Sequence, residues 1–116
     1  MRLTTAYRQG DIVLVSFPFT DLTTTKKRPA LVISPDSFNE LNQDLILAAI
    51  TSQPAGDEFA LSLRDGDFQE GGLPRKSVVK TSKIFTIHSA LILKKIGALK
   101  RTRLDEILVQ VRRFFS

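Results

Sequence analysis

The chain has 116 residues, of which 42% are hydrophobic and 25% are charged, a balance typical of a single globular domain over residues 1–116. With no cysteine and one histidine, the sequence excludes disulfides and thiolate metal sites and disfavours a zinc site. The formal net charge of +5 favours a polyanionic partner.

The N-terminal half predicts three strands and one short helix. Pro18 ends the first strand, and Pro29 and Pro35 bound the second, a buried run rich in β-branched residues. Ser34-Pro35-Asp36 can cap the helix, which ends by Asn42. In chain order the predicted elements are a polar lead-in over 1–9, the strand Ile12–Phe17, the polar loop Phe19–Lys27, the strand Ala30–Ile33, the short helix and the strand Leu45–Ile50.

The C-terminal half predicts more short strands and a terminal helix. In chain order these are the loop Ala55–Glu58, the strand Phe59–Leu63, the turn Arg64–Asp67, the glycine-rich loop Gln69–Pro74, a strand through Ser77–Val79 and Ile84–Ile87, a turn or short helix over His88–Leu91, and the strand Lys95–Leu99. Thr102 and Asp105 have the spacing of a capping box. An apolar stripe of period 3.6 then predicts an amphipathic helix, through Leu104, Ile107, Leu108, Val111 and Phe115.

Together these elements predict a mostly β fold. Five to seven short strands without βαβ alternation favour a small antiparallel barrel or sandwich with accessory helices. No apolar run approaches the roughly 20 residues that a membrane span needs, and the N-terminus has no signal-peptide core. We therefore expect a cytoplasmic protein without a membrane segment.

The stretch from Lys26 to Ser34 is the strongest candidate for a site. Three adjacent cations precede a core strand, and Pro29 biases Arg28 toward an extended backbone. Arg28 opens one predicted strand and Thr51 closes another, so the two residues meet at one sheet end if those strands are antiparallel neighbours. A guanidinium and a hydroxyl side by side can hold a phosphate. The alternative is an ordinary basic turn before a strand.

Other reactive groups give little support for catalysis. His88 follows an apolar residue and is better explained as a packed or solvent-bridging side chain than as a catalytic base. Asp65 and Asp67 could bind a metal through oxygen but are better explained as turn formers. RNA, in contrast, carries its own nucleophile in the 2′-OH, so a basic barrel could cleave it without a metal or a catalytic cysteine.

Several stretches resemble the PemK/MazF family of toxin endoribonucleases. They occur in the family order over nearly the whole chain: Gly10-Asp11-Ile12-Val13-Leu14-Val15, Lys27-Arg28-Pro29-Ala30-Leu31-Val32-Ile33-Ser34-Pro35, Ile50-Thr51-Ser52, Ser77-Val78-Val79, Ile84-Phe85-Thr86-Ile87 and Lys95-Ile96-Gly97. The resemblance implies an SH3-like barrel, with a short helix after the second strand and a C-terminal helix, that works as a homodimer. It also implies metal-independent, sequence-selective cleavage of single-stranded RNA through a 2′,3′-cyclic phosphate, with no cofactor, and a cognate antitoxin that blocks the RNA groove.

The resemblance also implies site residues. Arg28 and Thr51 match the central catalytic pair, and Ser52 matches more loosely as an RNA-binding residue. The cations Arg75 and Lys76 are further candidates for holding the RNA backbone. The remaining expected RNA-binding residues are Phe17, Thr20, Lys26, Lys27, Gln53, Lys80, Ser82 and Lys83.

The sequence departs from the family pattern on the later strand. Lys80 and Ser82 stand where some members have an Arg and an Asp, and Ile84 or Phe85 stands where an Arg is frequent. Because Ser82 cannot act as a carboxylate base and a guanidinium is rarely deprotonated, Arg28 is assigned to charge stabilisation and to protonation of the leaving group. The sequence leaves two alternatives: a non-catalytic toxin of the same fold that poisons a protein such as gyrase, and a plain nucleic-acid-binding barrel.

Overall fold

The computed structural model describes residues 7–18, 25–52 and 58–116, which form one curled antiparallel sheet with two α-helices. The strands are β1 (Asp11–Pro18), β2 (Thr25–Val32), β3 (Asp44–Thr51), β4 (Ala60–Leu63), β5 (Phe68–Gly71), β6 (Ser77–His88) and β7 (Ile92–Leu99). Helix α1 (Asp36–Leu41) follows β2, and helix α2 (Arg101–Phe114) follows β7. The predicted fold class, a small antiparallel barrel with a helix after the second strand and a C-terminal helix, is confirmed.

The order of the strands across the sheet is β4-β6-β3-β2-β1-β7-β5, and neighbouring strands pair in antiparallel fashion. The long strand β6 pairs with β3 in two registers: Ala48 lies opposite Ile84, but Ala49 lies opposite Lys80. Residues 81–83 therefore form a bulge on β6. Because a bulge bends its strand and increases its twist, it helps to curl the sheet into a half-barrel.

The sheet buries side chains on both faces of its central strands. Ile12, Leu31, Ile50 and Val79 are buried on one face, which α2 covers through Leu104 and Ile107. The opposite face buries a second cluster formed by Val13, Val15, Ala30, Val32, Leu45, Leu47 and Ile92. Burial on both faces explains why β1, β2 and β3 have nearly continuous apolar runs.

Two predicted loops contain strand residues. The loop predicted over Phe19–Lys27 ends early, because β2 already pairs from Thr25 with the end of β1. The glycine-rich loop predicted over Gln69–Pro74 contains most of β5, in which Gly71 lies opposite Gly97 of β7. Main-chain hydrogen bonds hold both stretches without an apolar side-chain pattern, which is why periodicity did not reveal them.

The helix ends also differ from the prediction. Thr102 and Asp105 form no capping box, since α2 begins at Arg101 and Asp105 instead pairs with Arg101 at 3.0 Å. Phe115 ends the predicted apolar stripe but lies beyond the helix and is 70% exposed. At α1 the N-cap is Pro35, and Asp36 accepts a hydrogen bond from the Gln9 N–H.

None of the helices in the described residues has the length and apolar content that a membrane crossing needs.

Candidate functional site

Arg28 and Thr51 come to the same end of the sheet because β2 and β3 are antiparallel neighbours. The last pair between these strands at this end is Ala30 opposite Ala49. Continuing the register by two residues places Arg28 opposite Thr51. Pro29 lies between Ala30 and Arg28 and has no N–H to donate, which explains why the ladder stops at Ala30. No ladder between β2 and β3 reaches these two residues, although β2 itself continues to Thr25 through its pairing with β1.

Both residues line an open cleft of about 460 Å³, here called the cationic cleft. Its lining comes from the start of β2, the end of β3 and the segment between β5 and β6. The lining residues are Lys26, Lys27, Arg28, Pro29, Ile50, Thr51, Ser52, Leu73, Pro74, Arg75 and Ser77. Three separate parts of the chain thus meet at the end of the sheet where the pairing of β2 with β3 stops.

The cationic cleft is strongly positive. Lys26, Lys27, Arg28 and Arg75 are exposed, and the described lining residues include no Asp or Glu. Within residues 7–18, 25–52 and 58–116, none of these four cations forms an ion pair with a carboxylate. The charges therefore add rather than cancel, and the cleft suits a phosphate group, which Arg can contact through two N–H groups.

Three hydroxyl groups accompany the four cations. Thr51 is half-buried and Ser52 is exposed, so the end of β3 offers two hydroxyls to the cleft. Ser77 is buried, and its Oγ donates a hydrogen bond to the carbonyl oxygen of Arg75 at 3.0 Å. This bond fixes the backbone at Arg75 and so helps to hold that cation at the cleft.

The three expected RNA-binding residues of β6 lie away from this lining. Lys80 lies opposite Ala49, on the same sheet face as Thr51 and two residues along the strand. Ser82 and Lys83 lie in the bulge and are exposed, while Thr81 between them and Lys80 is buried and donates its hydroxyl to the carbonyl oxygen of Phe59 at 2.6 Å. Lys80 thus adds a positive charge beyond the lining of the cationic cleft. The bulge sets the positions of the Ser82 and Lys83 side chains.

Three other expected residues fall partly or wholly outside the described residues. Thr20 and Gln53 lie outside them altogether. The backbone of Phe17 pairs with that of Lys26 in the β1–β2 ladder, and its side chain lies outside what the structure describes.

The sequence did not assign five lining residues to the site: Pro29, Ile50 and Ser77, which lie in the motif stretches, and also Leu73 and Pro74. Leu73 and Pro74 had the weakest signal. They belong to the stretch predicted as a glycine-rich loop, and no motif marks them as functional. A signal existed for their neighbours Arg75 and Lys76, because residues 71–104 contain many Lys and Arg but no Asp or Glu. The position of the whole segment is set by the pairing of β5 with β7, which the sequence did not reveal.

His88 has a structural role. It is exposed, its Nδ1 accepts a hydrogen bond from the Ala90 N–H at 2.9 Å, and its Nε2 lies 3.0 Å from Oε1 of Gln43. The ring thus caps the short turn at 89–91 and bridges to the segment before β3. Asp67 likewise accepts the Arg64 N–H at 2.9 Å, as the turn interpretation predicts. Among the described residues, no three His, Cys, Asp or Glu side chains form a group that could hold a metal.

Comparisons with known proteins identify the family. The chain matches, over residues 8–115, the family described as the PemK-like, MazF-like toxin of type II toxin-antitoxin systems. Comparison with curated proteins gives no match.

Solved structures share the fold at low sequence identity. A MazE–MazF structure from Deinococcus radiodurans superposes with a TM-score of 0.78 at 19% identity, covering 95% of this chain and 96% of that one. An endoribonuclease from Mycobacterial species gives a TM-score of 0.75 at 15% identity, covering 97% and 93%. A structure of an endoribonuclease in complex with its cognate antitoxin, also from Mycobacterial species, gives a TM-score of 0.72 at 15% identity, covering 95% and 93%.

Proposed function

The chain belongs to the PemK-like, MazF-like family of toxins of type II toxin-antitoxin systems, and from that premise we propose that it is a metal-independent endoribonuclease. Its proposed substrate is single-stranded mRNA, cut at selected sequences in the cytoplasm so that translation and growth stop. Arg28 and Thr51 are the proposed catalytic residues. The observation that carries the proposal is that both line one cleft with Lys26, Lys27 and Arg75, and that the described residues of its lining include no Asp or Glu.

The proposed reaction uses the nucleophile of the RNA itself. The 2′-oxygen attacks the neighbouring phosphorus, the bond from phosphorus to the 5′-oxygen breaks, and the product is a 2′,3′-cyclic phosphate with a free 5′-OH. The 2′-OH loses its proton and the leaving 5′-oxygen gains one, so no oxidant or other co-reactant is needed. Catalysis then consists of holding the two oxygens in line and stabilising the negative charge that grows on the phosphoryl oxygens.

The cleft residues divide this work. We assign Arg28 to the phosphoryl oxygens, where its planar fork makes two charge-assisted hydrogen bonds, and to proton delivery to the leaving oxygen by relay. Thr51 donates one further hydrogen bond to the phosphate. No carboxylate or imidazole is among the described lining residues, so the contribution assigned to this cleft is positioning and charge stabilisation rather than general-base catalysis.

The remaining expected residues extend the contact along the strand. Lys26, Lys27 and Ser52 line the same cleft and are assigned to the RNA backbone. Lys80, on the same sheet face as Thr51, is assigned to a flanking phosphate, with Ser82 and Lys83 further along β6. The proposed site is thus a short track of positive charge with the scissile phosphate at its centre.

The proposed partners are a second copy of the chain and an antitoxin. Solved relatives include a MazE–MazF structure and an endoribonuclease bound to its cognate antitoxin. A cleft with four cations would attract a flexible antitoxin segment that carries acidic side chains, and such a segment would order on binding and compete with RNA. The test is to titrate the antitoxin against labelled, uncleavable RNA: we expect displacement, and simultaneous binding without loss of RNA affinity would contradict the groove-blocking role.

The deciding experiment for the activity is incubation of the purified protein with a long RNA in the presence of a chelator. We expect cleavage at a recurring sequence, leaving a 2′,3′-cyclic phosphate on one fragment and a 5′-OH on the other. An RNA that is bound but stays intact would favour a non-catalytic nucleic-acid-binding barrel. Intact RNA together with inhibition of gyrase would favour a toxin that acts on a protein.

A further inference from the structure

A second cleft of about 680 Å³ continues the cationic cleft. The two share Ser52, Leu73, Arg75 and Ser77. The second cleft is lined in addition by β4, the turn after it and the start of β6, through Ser62, Leu63, Arg64, Asp65, Phe68, Lys76 and Val78. A ligand group held at Arg28 and Thr51 would therefore have a neighbouring compartment within reach, and Arg75 lines both.

The second cleft differs in chemistry from the first. Leu63 is buried and Phe68, Leu73 and Val78 are half-buried, so apolar side chains supply much of its wall. Exposed cations stand around this apolar wall, at Arg64, Arg75 and Lys76, against one carboxylate, Asp65. The combination suits a ligand that has a flat apolar ring and a negative charge at one end.

The wall of this cleft is firmly held. Phe68 and Leu73 pack against the core cluster that includes Leu63 and Val79. Arg103 of α2 donates a hydrogen bond from Nη2 to the Ser62 carbonyl oxygen at 2.6 Å, which ties β4 to the helix. At the junction of the two clefts, the bond from Ser77 to the Arg75 carbonyl fixes the loop. A preformed wall lowers the cost of binding, because little has to be ordered when the ligand enters.

We propose that the second cleft binds the base of the nucleotide next to the scissile phosphate, with Arg75 holding the phosphate that links the two compartments. This inference rests on the proposed ribonuclease function and adds a subsite to it. The occupant is a nucleotide of the same RNA strand, since the cleft opens directly onto the phosphate-binding residues and its cations complement the RNA backbone. An apolar wall recognises a base through its flat face and its size, and the base edges are left to the exposed polar residues around it.

The test combines a protein variant in which the second cleft is filled with RNA substrates in which one nucleotide lacks its base. Ser62 is exposed and lines the second cleft but not the cationic cleft, and only its backbone carbonyl bonds to Arg103. Ser62→Trp should fill the cleft while leaving Arg28 and Thr51 untouched. Ser37→Trp, on the exposed face of α1, is the matched control for adding a large side chain. Thermal melts of both variants check that they are folded.

The substrate is a short RNA that carries a cleavage site mapped on a long transcript, together with variants in which each nucleotide beside the scissile bond is made abasic in turn. With the wild-type protein, one abasic position should lower kcat/KM by about 10-fold to 100-fold, the scale of one lost base contact. With Ser62→Trp, the intact RNA should show a similar loss, and the same abasic position should cause no further one. Ser37→Trp should behave as the wild type.

The outcomes separate this inference from the proposed function. Absence of cleavage by the wild-type protein overturns both. Wild-type cleavage with an undiminished rate for Ser62→Trp overturns the subsite alone, and so does an abasic effect that persists in the variant. Loss of antitoxin inhibition with full RNA cleavage would assign the cleft to the protein partner instead. If Ser62→Trp does not fold, Asp65→Trp takes its place, because Asp65 is exposed, lines the second cleft without lining the first and is not assigned to the RNA.

Discussion

Arg28 and Thr51 line the same cleft. Each lies two residues beyond Ala30 and Ala49, which form the last pair between β2 and β3. The relationship depends on the antiparallel pairing of two core strands, so the cleft is built on a rigid part of the fold. Neither side chain belongs to the two buried clusters, so truncation leaves those clusters intact. Activity and stability should therefore separate at these two positions.

Arg28→Ala and Thr51→Ala should each lower the rate of RNA cleavage by about 10²–10³, the usual loss when one charge-stabilising contact is removed. Arg28→Lys should also be poor, because an ammonium group cannot make the bidentate contact, whereas Thr51→Ser should retain much of the activity through its hydroxyl. The measurement is single-turnover cleavage of a mapped RNA, with melting temperature followed in parallel. Arg113→Ala, which removes an exposed cation of α2, is the control. Cleavage by the Arg28 or Thr51 alanine variant within a few-fold of wild type would remove that residue from the site.

Arg75→Ala should weaken RNA binding across many sequences and reduce the log–log dependence of affinity on salt by about one unit, as expected when one phosphate contact is lost. The reason is the position of Arg75 at the junction of both clefts. The measurement is the affinity for uncleavable RNA over a range of salt concentrations. The double variant Lys80→Ala/Lys83→Ala, measured in the same way, tests whether the RNA track extends along β6. An unchanged salt slope in either variant would mean that the residues replaced there form a solvated basic surface rather than a contact.

The sequence predicted the strands that are buried on both faces and could not predict those held by backbone pairing alone. Continuous apolar runs revealed β1, β2 and β3, since these strands bury side chains in both clusters. Strand β5 gave no such signal, because Gln69, Glu70 and Gly71 are exposed and its place is set by hydrogen bonds to β7.

The same distinction explains which residues of the candidate site the sequence could predict. The prediction that Arg28 and Thr51 lie close together needed one assumption, that their strands are antiparallel neighbours. The pairing of β2 with β3 satisfies it. The positions of Leu73 and Pro74 are set by the pairing of β5 with β7, because both residues lie in the segment that connects β5 to β6. No local sequence pattern could predict those positions. The three-residue bulge at 81–83 shifts the register of β6, and an alternating pattern cannot foresee where such a shift puts Ser82 and Lys83.

Ile107→Ala should destabilise the protein by about 2–5 kcal/mol, because Ile107 is fully buried where α2 packs on the sheet and its truncation leaves a cavity. Val109→Ala on the same helix is the control: Val109 is 44% exposed, so its loss should change the free energy of unfolding by no more than about 0.5 kcal/mol. Chemical denaturation at one fixed protein concentration measures both, since a homodimer would make stability depend on concentration. Equal effects of the two changes would contradict the packing of α2 described above.

Gly71→Ala should destabilise the β5–β7 pairing, whereas Gly72→Ala should not. Gly71 has a φ of +64°, and a Cβ there would lie 2.2 Å from the carbonyl oxygen of Ile96, which is backbone and cannot turn aside. The left-handed conformation alone costs a non-glycine residue about 1–3 kcal/mol, and the clash adds to it. At Gly72, the next residue, nothing lies within 4 Å of the added carbon. The measurement is the free energy of unfolding of both variants under the same conditions. Hydrogen exchange at the β7 amides should rise in Gly71→Ala alone, and equal protection in the two variants would show that the close approach of Gly71 to β7 does not hold this sheet edge.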